Sequence, residues 1–224
     1  MSKGRLIVIE GLDSSGKETQ SKLLCEHLEK SGKKVKRIEF PNYKSDSSAL
    51  VRMYLGGAFG DSPDCVNAYA ASSFFAVDRY ATYKTHFEEF LNDGGIVIAD
   101  RYTTSNMIHQ GSKISDDGER NEYLTWLENY EYGLLGLPRP DKVIFLDMPM
   151  DIALSLMKAR ANKIDGGEQK DIHERNKEYL DATYRVATEL SEKFGWQHVL
   201  CGKEGRPLSI EEISRQVIKA SGEE

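Results

Sequence analysis

The chain has 224 residues and a formal net charge of -6, from 36 acidic and 30 basic side chains. That balance argues against a broad nucleic-acid footprint, leaving at most a local basic pocket, and the length suits one well-covered domain over residues 1–224. No apolar run approaches membrane-spanning length, and Cys25, Cys65 and Cys201 are odd in number without metal-like spacing, so a cytoplasmic protein with free thiols and no membrane partner is expected.

Leu6, Ile7, Val8 and Ile9 form an apolar, mostly β-branched run that predicts a buried strand. Gly11 then opens a turn, and Gly16-Lys17 opens a helix, so GLDSSGK is a phosphate loop in a strand-loop-helix setting. The glycines let backbone N–H groups turn inward, the helix N-terminus adds positive potential, and Lys17 can reach the β and γ phosphates of a nucleotide. The ATP-binding set is Gly11, Leu12, Asp13, Ser14, Ser15, Gly16, Lys17, Glu18 and Thr19. Glu18 stands where the common pattern has the Ser or Thr that meets magnesium, and Thr19 follows it, so both are metal candidates. A helix over residues 17–30 and a strand over 33–40 complete a βαβ unit and predict a parallel sheet. Phe40-Pro41-Asn42-Tyr43-Lys44 turns at the carboxyl end of that strand, where open α/β sheets bind ligands. Lys44 there is either a phosphate contact or a solvated loop lysine.

A short helix is expected over 48–55 and a long one over 66–91. In the latter, Phe75 and Arg79 fall four apart on one face. A ring and a guanidinium so arranged could stack on and hydrogen-bond a planar base, or be a core ring and a surface charge. Residues 96–99 read as a short strand with Asp100-Arg101-Tyr102 at its carboxyl end, a position suited to magnesium and phosphate or to an internal ion pair. Residues 103–111 form a polar segment whose Asn106 and His109 could face a ligand; His109 has no partner at zinc-ligand spacing. A charged loop at 115–120, a helix over 122–135, a strand over 142–147 and a helix over 150–160 follow. Residues 161–170 carry Gly166-Gly167, Lys163 and Lys170, with Arg160 just before, and read as a mobile basic flap or a plain surface loop. A helix over 172–194, a fifth strand over 196–200 and a helix over 210–220 close the chain.

The strings EGLDSSGKETQ, Phe40-Pro41, FFAVDRY, DRYTTSN at 100–106 and LDMP after the fourth strand occur in an order and spacing that resemble the thymidylate kinase family over essentially the whole chain. The resemblance implies an α/β P-loop nucleoside monophosphate kinase fold. Its five-stranded parallel sheet is flanked by helices on both faces, with a flexible LID segment at approximately 160–172. It implies transfer of the γ-phosphoryl group of ATP to the 5′-phosphate of dTMP, giving dTDP and ADP for dTTP synthesis, with Mg2+ as cofactor. Carried over by position, Lys17, Arg101, Arg160 and Asp100 are the catalytic residues. Phe75 stacks on thymine, Arg79 and Asn106 hydrogen-bond its edge, Asp13 approaches the 3′-hydroxyl, and Arg101 holds the acceptor phosphate. Phe40, Pro41, Lys44, Ser105, His109 and Gln110 complete the dTMP set, and Asp100, with Glu18 or Thr19, orders the metal.

Three departures qualify that transfer. Ser14 and Ser15 occupy the stretch where some relatives carry an arginine, so the implied catalytic arginine is Arg160 in the flap. His109 stands where the family often has Tyr or Phe near the sugar, which leaves a kinase for another deoxynucleotide or nucleoside open. The family's arginine after the Phe-Pro turn is absent, with Lys44 as the substitute. A P-loop binding switch is the reading from a different class. No NKxD-type guanine-reading string supports it, and the Phe75–Arg79 pair would have no role in it. Thymidylate kinases are commonly homodimers joined through helices, and the 66–91 helix is the candidate surface.

Overall fold

The computed structural model describes residues 4–163, 172–173 and 176–223, with no side chains described at 160–163 or 177. In chain order the elements begin β1 (Arg5–Gly11), α1 (Lys17–Lys30), β2 (Val35–Glu39), α2 (Ala49–Leu55), α3 (Ala68–Thr82) and α4 (Glu88–Asn92). They continue with β3 (Ile96–Asp100), α5 (Thr103–His109), α6 (Asp117–Glu128), β4 (Lys142–Asp147), α7 (Met150–Lys163) and α8 (Lys177–Lys193). The last are β5 (Gln197–Leu200), the two-residue strands β6 (Gly202–Lys203) and β7 (Arg206–Pro207), and α9 (Ile210–Ser221).

The main sheet runs β2-β3-β1-β4-β5, every pair parallel. Its central strands are buried on both faces, which is why they read as continuous apolar runs rather than as alternating ones. Alternate residues still sort by face. Ile7, Ile9, Ile98, Ile144 and Leu146 pack against Leu24 and Leu28 of α1 and Ile213 and Val217 of α9. Leu6, Val8, Val97 and Ala99 pack on the other face with Phe87 and Tyr102.

The chain leaves β1 towards β2 and leaves β3 towards β4, in opposite directions along the sheet. Right-handed crossovers in opposite directions put their helices on opposite faces, and the adjacent carboxyl ends of β1 and β3 diverge to leave a crevice. Gly11 and Asp100 are the last residues of those two strands.

Several boundaries differ from the sequence expectation. The 66–91 helix begins two residues later, at Ala68, where the Asn67 side chain accepts from the Ala70 amide at 2.8 Å, and it contains a π turn over Tyr83–Phe87. The wider turn keeps the Tyr83 and Phe87 rings packed against each other, centroids 5.1 Å apart, over the sheet. Residues 115–120 are not simply a charged loop: Asp116 caps α6 by accepting from Glu119 N at 2.9 Å, and α6 runs on into a second π turn at Asn129–Leu134. The polar 103–111 segment folds as α5, and the helix expected from 172 begins at Lys177, after the Asn176 cap. The β6–β7 hairpin was not foreseen, because two-residue strands carry no periodicity.

Candidate active site

The crevice opens into a cavity of about 620 Å³ over the carboxyl edge of the sheet. One end is the phosphate loop. Gly11 has φ 154°, and a Cβ there would fall 2.6 Å from Ser15 Oγ and 2.9 Å from the Leu146 carbonyl. Gly16 has open space around it but adopts φ 91°, so its requirement is conformational rather than steric. Asp13, Ser14, Gly16, Lys17, Glu18 and Thr19 line the cavity, whereas Gly11, Leu12 and Ser15 are buried beneath it. Lys17 donates to the Leu12 carbonyl at 2.7 Å. Burial, reinforced by Arg101 and opposed by Asp13 and Asp100, lowers the Lys17 ammonium to about 8.

Arg101 follows β3 in the left-handed region, φ 66°, an uncommon conformation for a side chain of this size. Its amide is held by the Ile9 carbonyl at 3.1 Å. Its guanidinium is held by Asp13, by Glu10 Oε1 at 3.7 Å and by His109 Nε2 at 3.1 Å. Burial acts to raise the Asp13 carboxyl, but Arg101 and Lys17 outweigh it and hold Asp13 well below the usual carboxylate range. Glu10, fully buried at the end of β1, accepts from Thr104 Oγ1 at 2.7 Å, Ser105 Oγ at 2.8 Å and the Gly11 amide at 2.9 Å. It was passed over in the sequence reading although it opens the EGLDSSGK string.

The contact with Arg101 fixes the state of His109. A guanidinium only donates, so Nε2 must be an acceptor and the proton sits on Nδ1, 3.3 Å from Tyr179 Oη. Tyr179 in turn donates to the His109 carbonyl at 3.0 Å. Burial, then Arg101, pushes the imidazole well below its ordinary value, so the acceptor form persists at neutral pH. His173 stacks on His109, ring centroids 5.8 Å apart, and burial followed by Lys113 lowers it to about 3. His173 lines the cavity too and had no sequence signal, because Tyr54 and His109, which it meets in the fold, are remote along the chain.

At the other end the cavity is lined by Phe40, Pro41, Phe75, Arg79, Ser105, Asn106, His109 and Gln110. Phe75 meets Tyr54 edge-on at 6.3 Å. The turn carrying Phe40 and Pro41 is held by Asp78, which accepts from the Asn42 amide at 2.8 Å and Ser47 Oγ at 2.6 Å.

Arg79 is neither a surface charge nor a freely extended base reader. It is 2% exposed and donates through Nε and Nη2 to both oxygens of Glu131 at 2.7 and 2.6 Å. Glu131, in the π turn after α6, also accepts from Thr103 Oγ1 at 2.7 Å and Asn106 Nδ2 at 3.0 Å. The two residues expected on the base edge are therefore held in place by one carboxylate that the sequence did not single out. Gln110 differs. It is 1% exposed, and neither its amide nitrogen nor its amide oxygen has a hydrogen-bond partner among the described residues.

Asp100 does not pair with Arg101; its Oδ2 meets Arg37 Nη2 at 3.1 Å. Lys44 is exposed and does not line the cavity, as the solvated alternative required. Glu18 is exposed and accepts from Lys22 at 2.5 Å. The side chain of Arg160, and most of the expected 160–172 LID, lie outside the described residues. For a divalent cation the donor set fits: Asp100, Glu39, Glu18 and Thr19 offer hard oxygens to the cavity, and Ser15 Oγ is buried without a partner among the described residues. Among the described residues no three acidic, His or Cys side chains converge.

Replacing Glu131 by alanine leaves the buried Arg79 charge unpaired. Unfolding free energy measured by urea denaturation should fall by about 3–5 kcal/mol, the scale for breaking a buried pair; a change under about 1 kcal/mol would contradict the pairing.

A family model described as thymidylate kinase matches residues 9–206. The thymidylate kinase of Mycobacterium tuberculosis is 31% identical over 192 residues, covering 85% of this chain and 87% of its own length. That of Plasmodium falciparum is 30% identical over 217 residues, 93% of each chain. The solved thymidylate kinase of Candida albicans shares the fold, with a TM-score of 0.73 at 22% identity over 99% of this chain and 94% of its own. With the matched region running from the first strand to the last hairpin, the chain belongs to the thymidylate kinase family.

Proposed function

We propose that this chain is a dTMP kinase that transfers the γ-phosphoryl group of ATP to the 5′-phosphate of dTMP, giving ADP and dTDP. Family membership supports the reaction. The observation that carries the residue assignments is that Lys17, Arg101 and Phe75 line one cavity, together with a Gln110 amide that has no partner among the described residues. The activity resides in one kinase domain, with a LID at 160–172 that supplies Arg160.

Phosphoryl transfer asks a protein for positioning and charge neutralisation rather than covalent chemistry. The acceptor is already a phosphate, so no general base of raised pKa is required. ATP sits on the loop amides with Lys17 turned from the Leu12 carbonyl to the β and γ oxygens. The acceptor phosphate meets Arg101, exchanging part of its pairing with Asp13 for a charge-assisted contact. Asp13 is then free to meet the sugar 3′-hydroxyl. Phe75 stacks on the base, and Gln110, which carries both a donor and an acceptor, complements the N3–H and adjacent carbonyl of thymine. Arg79 and Asn106, held by Glu131, border the same edge. Asp100 with Glu18 or Thr19 would hold Mg2+, which when bound would supply positive charge to offset that of the phosphate groups.

The enzyme acts as a homodimer. Leu50 and Met53 on α2 and Val77 and Tyr80 on α3 are exposed apolar side chains, which supports a helix-mediated interface. No described helix is long and apolar enough to cross a membrane, and the free Cys25, Cys65 and Cys201 suit a reducing cytoplasm.

A panel of dTMP, dUMP, dCMP, dGMP and UMP in a coupled ADP-release assay tests the substrate. dTMP should be turned over fastest, and Gln110→Ala should lower kcat/KM for dTMP by about 3- to 10-fold, the scale of one hydrogen bond. Faster turnover of dCMP, dGMP or UMP would instead favour the reading as another monophosphate kinase. ADP release indifferent to every acceptor would favour the P-loop switch.

A second expectation concerns pH. Lys17, lowered to about 8 by burial and Arg101, must be charged to bind the triphosphate, so it loses its proton as pH rises through that value. The profile of kcat/KM for ATP, which reports the free enzyme, should therefore show an alkaline limb near pH 8. The kcat limb should lie higher, because bound phosphates restore the proton. A flat kcat/KM profile across that range would contradict the role of Lys17.

A further inference from the structure

Arg37 belongs to no motif in the sequence, yet its guanidinium is committed on every nitrogen. Nε donates to Ser21 Oγ at 2.8 Å, Nη1 to Glu39 Oε2 at 2.9 Å and Nη2 to Asp100 Oδ2 at 3.1 Å. In the β2–β3 pairing Glu39 lies opposite Asp100, and Arg37 opposite Ile98. The two-residue period therefore sets Arg37, Glu39 and Asp100 on one face of the sheet, the face covered by α1. Both carboxylates line the cavity beside Lys17 and Thr19, and the Arg37 side chain is only 18% exposed beneath them.

Two carboxylates at adjacent strand ends are a pair of hard oxygen donors that attract a divalent cation. A fixed positive charge bonded to both opposes that, because a dication close to a guanidinium is repelled strongly where water is partly excluded. Arginine suits the task. Its fork reaches both acids at once and it cannot lose its proton, while Ser21 holds Nε and stops the group swinging into the cavity.

We propose that Arg37 is a positioning residue and resident counter-ion for the metal site: it neutralises Asp100 and Glu39 in the nucleotide-free enzyme, so that a divalent cation enters only together with the negative charge of a nucleoside triphosphate. The inference rests on Asp100 as the acid that orders magnesium. By this device the empty enzyme does not collect metal, and the carboxylate is already turned towards the cavity when the metal-nucleotide complex arrives.

The test uses Mn2+ alone, titrated into the nucleotide-free full chain with the free ion read by electron paramagnetic resonance, and then Mn2+ with a non-hydrolysable ATP analogue. Arg37→Gln should bind Mn2+ about ten-fold or more tighter than the parent chain, as expected when a nearby charge is removed. The gain should vanish in the Arg37→Gln/Asp100→Asn double variant. Arg37→Lys keeps the charge and should remain within about three-fold of the parent; it also reads the proposal if the glutamine variant does not fold. Mn2+ affinity that is unchanged or weakened in Arg37→Gln, or raised equally in Arg37→Lys, would overturn the counter-ion role. Asp100→Asn that leaves affinity for the metal-analogue complex intact would overturn the assignment of Asp100 and the inference with it. If instead Asp100→Asn weakens that complex while Arg37→Gln leaves Mn2+ binding unaltered, the inference alone fails.

Discussion

A guanidinium taken out of water must be met by acceptors, and at the carboxyl ends of β1 and β3 the Arg101 side chain is met by Asp13, Glu10 and a neutral His109. Much of the site follows from satisfying that one charge. Glu10 is anchored by the Thr104 and Ser105 hydroxyls, which ties the start of α5 to β1. Asp13 is drawn across the phosphate loop towards β3. His109 is restricted to one tautomer, which orients Tyr179 of α8. On the proposed binding mode, a phosphate entering this pocket would replace one anionic partner of Arg101 with another.

The same logic recurs twice nearby. Arg79 is matched by Glu131, and Arg37 by Asp100 and Glu39. These three arginines each have their own carboxylates, whereas Lys17, among the described residues, has the Leu12 carbonyl as its hydrogen-bond acceptor and is lowered by burial and by Arg101. The site therefore separates its cations by role. Arg37 is held beneath the cavity and Arg79 is fixed in its wall by Glu131, whereas Arg101 and Lys17 line the end formed by the phosphate loop.

Much of this was legible in the residues. The phosphate loop announced itself because glycine spacing, a preceding apolar run and a following helix are all local features, and β4 and the start of α1 were read to the residue. The parallel sheet followed from the βαβ pattern. What stayed hidden was remote in sequence. Glu131 is 52 residues from the arginine it pairs with, and Arg37 is 63 residues from Asp100. Neither pairing leaves a trace in periodicity. For Arg79 the choice between a base contact and a surface charge overlooked a third state, a buried arginine with its own carboxylate. The π turns were also invisible, since one inserted residue does not disturb a helical pattern enough to break it.

On the proposed mechanism the donor and acceptor nucleotides meet tip to tip in this cavity, with their phosphates between Lys17 and Arg101. The most direct test is steady-state inhibition by a bisubstrate analogue in which adenosine and thymidine are joined 5′ to 5′ through a polyphosphate bridge. One molecule should compete with ATP and with dTMP alike. Competition against only one of them, with non-competitive behaviour towards the other, would mean that the two nucleotides occupy separate regions and would contradict the account.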